Sequence, residues 1–237
     1  LNLTVSRNDF WDRRNGGRLP EGATYERVKE AYATGDPQAM REILSPNAAD
    51  VWRSGARPST VLPVGRFEFQ LREGVLLESG TVDCARGRIE IRLAGTSARI
   101  ELVMGTSTDV LWLRDPAGLI AAVTCRPAWE WCEEEFVRRS FDPPEMLAEG
   151  WVQSCPEDPA LCVLAKQRDD GYGITLCLGK DSAASQGKAN ALLDGFAGDA
   201  LLTECERWWA TYWSQTPDVT IPDPFWSDFL VYAHYKW

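Results

Sequence analysis

A cluster of polar and aromatic residues follows the first apolar segment of the chain, in the stretch SRNDFWDRR. Five of its side chains could contact a ligand: Asn8, Asp9, Trp11, Asp12 and Arg13. Carboxylate and amide groups exchange hydrogen bonds with hydroxyls, and the flat face of a Trp suits the C–H face of a sugar ring. An Arg can pair with an Asp and hold such a loop rigid. This composition is typical of a carbohydrate subsite on a loop that a sheet positions.

The same residues also have an ordinary structural explanation. Asp9 and Asp12 belong to a residue type that often caps turns. Trp11 could fill the space between a sheet and neighbouring helices. The sequence leaves both interpretations open, and ligand contact by this loop is a prediction.

The elements beside this cluster can be predicted from the local pattern. In LNLTV, the residues Leu1, Leu3 and Val5 fall on one face of a strand, and the Gly16-Gly17 pair breaks the chain after the cluster.

The segment that follows has the pattern of two short helices. We predict that they form a helical insertion over about residues 22–45. Thr24 is the expected N-cap of the first helix. Gly35 ends it, and Asp36 and Pro37 begin the second as N-cap and first helical residue.

No complete catalytic set is recognisable. His234 is the one histidine and lies in the last apolar segment, so a Ser-His-Asp or Cys-His set lacks support. No phosphate-binding Gly-rich loop occurs, and the run from Glu133 to Glu135 is typical of a solvated face or linker. We predict no catalytic residue and no cofactor in this chain.

The seven cysteines favour structural thiols over a metal site. They stand at positions 84, 125, 132, 155, 162, 177 and 205. Structural zinc sites usually have two ligands two to four residues apart, and no such pair is present. One or two disulfides stay open as an alternative, and no metal ligand is predicted.

Composition excludes some partners. The 237 residues carry 25 Lys and Arg against 35 Asp and Glu, a net charge of −10. Such a chain is a poor candidate for a nucleic-acid phosphate backbone. No apolar run approaches the roughly 20 residues that a membrane-spanning helix needs. Tryptophan is abundant, with 11 copies, and suits thick cores, interfaces and sugar-stacking surfaces.

From about residue 60 the pattern is that of strands. RFEFQLR and GRIEIRLAG alternate apolar and polar residues, and similar segments follow every 8–12 residues with turn residues between them. The text CEEEFVRRSFDPPEM is expected to be a linker, and Asp169-Asp170-Gly171 a hairpin tip. The fold class predicted is mainly β, an antiparallel sandwich over residues 1–181.

The last part of the chain has a sequence pattern typical of helices. Residues 182–224 are expected to form a linker of helices followed by the extended TPDVTIPDP, whose prolines forbid a helix. Residues 225–237 form a helix that is apolar nearly all round and must be covered on several sides. We therefore expect it to be the first helix of a further domain.

The order of these segments resembles a known architecture. A strand-like segment with SRNDFWD comes first. It is followed by LPVGRFEFQL and GTVDCARGRIEIRL, and then by ERWWATYWSQTPDVTIPD and FWSDFLVYAHYKW. This is similar to the N-terminal β-sandwich (supersandwich) and linker of six-hairpin (α/α)6-barrel glycoside hydrolases of the α-L-fucosidase and maltose phosphorylase type. The residues that match the linker pattern are Trp209, Tyr212, Trp213, Ile221, Pro222, Asp223, Tyr232 and Tyr235.

The resemblance implies a function. The chain would be a non-catalytic domain that packs on a downstream barrel of the same polypeptide and lends a loop to an oligosaccharide or polysaccharide site. The catalytic carboxylates would lie in the barrel, and an extracellular or periplasmic location would be favoured over a cytoplasmic one. The alternative is a stand-alone carbohydrate-binding sandwich without catalysis, and a structural or adhesive sandwich is a third possibility.

Overall fold

The computed structural model describes residues 1–14, 23–44, 59–168, 170–217, 219 and 221–236. Its strands are β1 (Asn2–Val5), β2 (Trp11–Asp12), β3 (Thr60–Val61), β4 (Gly65–Leu71), β5 (Leu76–Asp83), β6 (Arg88–Ala94), β7 (Arg99–Met104), β8 (Val110–Arg114), β9 (Ile120–Pro127), β10 (Glu145–Leu147), β11 (Gly150–Gln153), β12 (Ala160–Arg168) and β13 (Gly171–Gly179). Its helices are α1 (Tyr25–Thr34), α2 (Pro37–Leu44), α3 (Trp129–Arg138), α4 (Ser182–Gly195), α5 (Gly198–Gln215) and α6 (Pro224–Lys236).

The two predicted N-terminal helices are present. The Thr24 side chain accepts a hydrogen bond from the backbone N–H of Arg27, and α1 ends at Gly35 with a left-handed φ of 67°. The Asp36 carboxylate accepts from the backbone N–H of Gln38 at 2.8 Å, which caps α2. These local capping predictions are confirmed. The outer ends of the predicted insertion, and the Gly16-Gly17 break, lie outside the described residues.

The strands form antiparallel sheets. Eight strands make one sheet in the order β10-β11-β12-β13-β8-β7-β6-β5, three make a second in the order β1-β4-β9, and β2 pairs with β3. In the predicted hairpin, Arg168 pairs with Gly171 and closes β12 onto β13, although Asp169 is outside the described part of the chain. Chain neighbours pair along most of the large sheet, and β13 crosses over to β8.

One hydrophobic core joins the two larger sheets. Phe67 of β4 and Trp151 of β11 are fully buried, with ring centroids 5.5 Å apart. Leu161 and Val163 of β12 belong to the same cluster. Complete burial of each such side chain contributes about 1.5–3 kcal/mol. The three-stranded sheet is therefore held against one face of the eight-stranded sheet.

The second core lies on the other face of the large sheet, under α4. There Cys162 and Leu164 of β12 contact a cluster that contains Ala189 and Leu193 of α4. Because β12 is covered on both faces, its sequence ALCVLAK is almost continuously apolar instead of alternating.

The cysteines are free thiols. Burial raises the pKa of Cys162 to about 12 and that of Cys125 to about 11. A thiol with so high a pKa is almost wholly protonated at neutral pH and behaves as a small apolar side chain.

Helices contribute as much structure as strands. Helix makes up 34% and strand 35% of the structure, so its antiparallel sheets occur within a mixed fold. The class predicted from sequence is confirmed for the antiparallel sheets, whereas "mainly β" understates the helices.

One predicted linker is partly a helix. Residues 132–138 of the expected linker lie in α3, where Phe136 is buried between Trp129 and Phe141, at ring distances of 5.6 and 5.5 Å. The linker prediction is therefore wrong for this segment. The other prediction for the glutamates, a solvated face, is confirmed because Glu133 and Glu134 are exposed on α3. The helix needs only one apolar side to bury.

Helices α5 and α6 pack together through aromatic rings. Leu201 and Cys205 of α5 are buried against the large sheet. The ring of Trp209 contacts that of Tyr235 of α6, with centroids 4.8 Å apart and planes tilted by 31°. The Tyr212 hydroxyl donates to the carbonyl of His234 at 3.0 Å. These contacts position α6 beside α5.

Candidate functional site

The predicted ligand loop is anchored at its centre by Phe10, which is almost fully buried in the main core. The backbone N–H of Leu62 donates to the carbonyl of Phe10 at 2.9 Å. Directly after it, Trp11 and Asp12 form β2 and pair with Val61 and Thr60. The loop therefore has a fixed entry to and exit from the sandwich.

Asp9 is held by an arginine of the same loop. Arg7 donates to the two carboxylate oxygens of Asp9 at 2.6 and 3.0 Å. The same guanidinium donates to the carbonyl of Leu176 and pairs with Asp109 at 3.1 Å. The hydrogen bond from Arg7 lowers the pKa of Asp9, so this carboxyl is ionised at neutral pH.

The indole of Trp11 closes the loop with its polar edge. Its Nε1 donates to the carbonyl of Asn8 at 2.6 Å, and the residue as a whole is half-buried. The Asn8 side chain stays exposed. This arrangement satisfies the only polar atom of the indole and leaves the residue partly accessible.

Asp12 is the buried member of the set, with 2% of its surface exposed. Its carboxylate accepts from Arg14 Nε at 2.9 Å and from Arg139 Nη1 at 3.0 Å. Burial raises the pKa of Asp12, but the hydrogen bonds from Arg14 and Arg139 outweigh burial, and the net pKa is lowered. The guanidinium of Arg14 also lies over the ring of Phe141, 5.2 Å from its centroid.

Arg13 points outwards and is exposed. Its backbone N–H donates to Asp158 at 2.8 Å, while its Nε lies 3.9 Å from the same carboxylate. Asp158 belongs to the connection between β11 and β12, so the loop is tied to the large sheet as well as to β3.

A groove of about 240 Å³ adjoins the Asp12–Arg139 pair. It runs between β3 and α3, and its lining includes Val61, Pro63, Phe136 and Arg139. Arg139 is thus shared by the buried ion pair and the groove wall.

The five predicted residues are neighbours in the sequence, and the structure gives them different environments. Asn8 and Arg13 are exposed, Trp11 is half-buried, Asp9 pairs with Arg7, and Asp12 is buried. Their contact with a ligand stays a prediction.

Sequence analysis missed Arg139 and Asp158, the distant residues that hold the loop. Arg139 stands 127 residues from Asp12, in a segment whose sequence predicts a linker. No local signal connects it with the loop, because only the folded chain brings α3 beside β2.

His234, the one histidine of the sequence, has an aromatic partner. The ring of His234 stacks on Trp213, with centroids 6.5 Å apart and planes 5° from parallel. Across the described residues, no group of three or more His, Cys, Asp or Glu could hold a metal ion. No helix in the described ranges is long and apolar enough to cross a membrane.

No protein-family model matches the chain, and no curated protein sequence matches it significantly. Its function is therefore inferred from geometry and sequence pattern.

Proposed function

We propose that this chain is the non-catalytic N-terminal domain of a carbohydrate-active enzyme, a glycoside hydrolase. It packs on an (α/α)6 barrel and contributes the Asn8–Arg13 loop to the substrate site. The sugar ring lies against Trp11, and Asn8 and Arg13 donate hydrogen bonds to its hydroxyls.

The observation that carries this proposal is that the loop residues fall into two groups, one that anchors the loop and one that stays accessible. Asp9 and Asp12 are committed to arginines, which hold the backbone in place. Trp11, Asn8 and Arg13 are left with surface that a ligand can reach. A loop that is rigid before binding loses little entropy when it contacts a sugar.

The sheet arrangement supports the supersandwich part of the proposal. A three-stranded sheet stacked on an eight-stranded one has the two-sheet core of a sandwich. The wide sheet carries helices on its outer face, and α6, which packs on α5, presents an exposed aromatic face. That face suits the attachment of a helical barrel.

Catalysis is assigned to the barrel. Glycoside hydrolysis requires two carboxyl groups at a defined separation across the glycosidic bond, acting as acid and as base or nucleophile. In the present chain, Asp9 and Asp12 are held ionised by their arginines and cannot donate a proton at neutral pH.

The test is Trp11→Ala in the full-length enzyme. Loss of the ring contact is expected to lower kcat/KM about twofold to tenfold, because an aromatic contact of this kind is worth about 0.5–1.5 kcal/mol. Trp11→Phe should retain part of the activity. Trp131→Ala removes an exposed indole on α3, outside the loop, and is the matched control.

Unchanged kinetics in Trp11→Ala, with the thermal midpoint also unchanged, would contradict the proposal.

The second candidate is a stand-alone carbohydrate-binding module. It is favoured by the observation that contacts within this chain alone hold the loop. It predicts that the 237-residue chain binds an oligosaccharide through Trp11 and belongs to no enzyme.

A further inference from the structure

The outward face of α5 carries an aromatic pair that the core does not use. Trp208 has 45% of its surface exposed. Its ring stacks on that of Tyr212, with centroids 5.5 Å apart and planes 6° from parallel. Trp209 contacts Trp208 edge-on, at 4.8 Å and 81°. The indole of Trp208 is thus held in one orientation while much of it stays accessible.

Helical spacing separates this face from the packed face. Leu201 and Cys205, four residues apart, are buried against the large sheet. Glu204 and Trp208 are also four residues apart and follow a different stripe, together with Tyr212. The exposed Trp is therefore not explained by burial of α5 on the sheet.

A groove of about 490 Å³ lies beside the aromatic pair. One wall is α5, and the other is the connection between β7 and β8. Glu204 Oε1 accepts from Thr106 Oγ1 at 3.0 Å and from the Ser107 backbone N–H at 3.2 Å. These bonds fix the two walls relative to each other and lower the pKa of Glu204, whose carboxylate is charged at neutral pH.

The polar residues of the groove suit hydroxyl groups. Arg207 and Gln215 line it as donors, and Thr211 supplies a hydroxyl. The charge of Arg207 opposes that of Glu204, so the groove favours a neutral ligand over an anion or cation. An aromatic plane bordered by such groups is the usual composition of a sugar-binding surface.

We propose that this groove binds a neutral oligosaccharide, with one pyranose ring stacked on Trp208 and its hydroxyls bonded to Arg207, Gln215 and Glu204. None of these residues belongs to the Asn8–Arg13 loop. The site therefore does not depend on the function proposed for that loop.

The experiment is native gel electrophoresis of the purified protein in gels cast with soluble starch, xyloglucan or arabinogalactan. At least one polysaccharide is expected to retard the protein. Trp208→Ala should weaken the apparent affinity about twofold to tenfold, because one aromatic contact is lost. Arg207→Ala changes an exposed residue and leaves the Trp208 ring in place, and it should weaken the apparent affinity as well. Trp131→Ala is the control, since that indole is exposed to 48% but lies on α3.

Several outcomes would overturn the proposal. One is no retardation by any of the three polysaccharides. Another is retardation that survives both Trp208→Ala and Arg207→Ala in folded protein, as judged by circular dichroism. Retardation lost only in Trp11→Ala would place binding at the loop and reject the groove. Loss in Trp208→Ala but not in Trp11→Ala would support the groove whatever the loop does.

Discussion

Burial separates two aspartates that look alike in the sequence. Asp9 and Asp12 stand three residues apart, and each pairs with an arginine two residues away. The Asp9 side chain is 46% exposed, whereas that of Asp12 is 3% exposed and also meets the buried Arg139. A pair in water contributes little, but removal of one partner of a buried pair leaves an uncompensated charge.

We predict that Asp12→Ala lowers the free energy of unfolding by about 3–5 kcal/mol at neutral pH, because Arg14 and Arg139 lose their shared carboxylate. Asp9→Ala is the matched control and should cost at most about 1 kcal/mol. Urea denaturation of the two variants and the parent protein measures both values. Equal losses would show that the Asp12 network is not a special anchor.

The same pair has a pH signature. The pKa of Asp12 is lower in the folded chain than in the unfolded one. Its contribution to stability is therefore full above the unfolded pKa of about 3.9 and is lost as pH falls through the folded value. The free energy of unfolding, measured from pH 7 down to pH 3, should accordingly fall less steeply in Asp12→Ala than in the parent protein.

At the scale of elements, the turn between β5 and β6 packs against aromatic side chains of α5. Gly87 lies in this turn with φ 66°, and a Cβ built there would stand 1.7 Å from Nε1 of Trp209. Trp213 Nε1 donates to the carbonyl of Cys84 in the same turn at 2.8 Å. The absence of a side chain at Gly87 lets the hairpin tip meet the helix.

We expect Gly87→Ala to destabilise the chain by about 2–4 kcal/mol, since the left-handed backbone and the contact with Trp209 both oppose a methyl group. Gly95→Ala is the matched control: φ there is 77°, but a Cβ would meet nothing within 4 Å. That change should cost only the backbone term, about 1 kcal/mol. Similar midpoints for the two variants in thermal unfolding would argue against the close approach of Trp209.

At the scale of the whole molecule, α6 shows the strongest exposed apolar face. Phe225 is 67% exposed, and Trp226, Phe229 and Tyr232 are each about half exposed. Contiguous apolar surface of this kind on a soluble protein commonly marks an interaction site. In the proposed enzyme it is covered by the barrel.

The 237-residue chain is accordingly expected to bind a hydrophobic dye or to self-associate through α6. Replacement of Phe225, Trp226 and Phe229 by Ser should reduce dye fluorescence severalfold. Tyr25→Ser with Tyr32→Ser, at more exposed aromatics on α1, should leave the dye fluorescence unchanged. Sedimentation together with dye fluorescence measures both effects. A clean monomer that binds no dye would count against an apolar docking face on α6.

The sequence by itself determined the features that depend on near neighbours. Thr24 and Asp36 cap helices through bonds to residues two or three positions away, and the alternation in β4 specifies which side chains face the core. The five loop residues are selected by type and spacing alone, and their contact with a ligand stays a prediction. Such features are local, so they do not depend on the arrangement of the rest of the chain.

Only the tertiary structure decided which members of a pattern are buried and which are free. It placed Arg139 against Asp12 across 127 residues. It turned Trp209 onto Gly87 while leaving Trp208, its neighbour in sequence, at the surface. These outcomes depend on which sheet edge or helix covers each side chain, because burial is a property of the packed layers rather than of the local pattern.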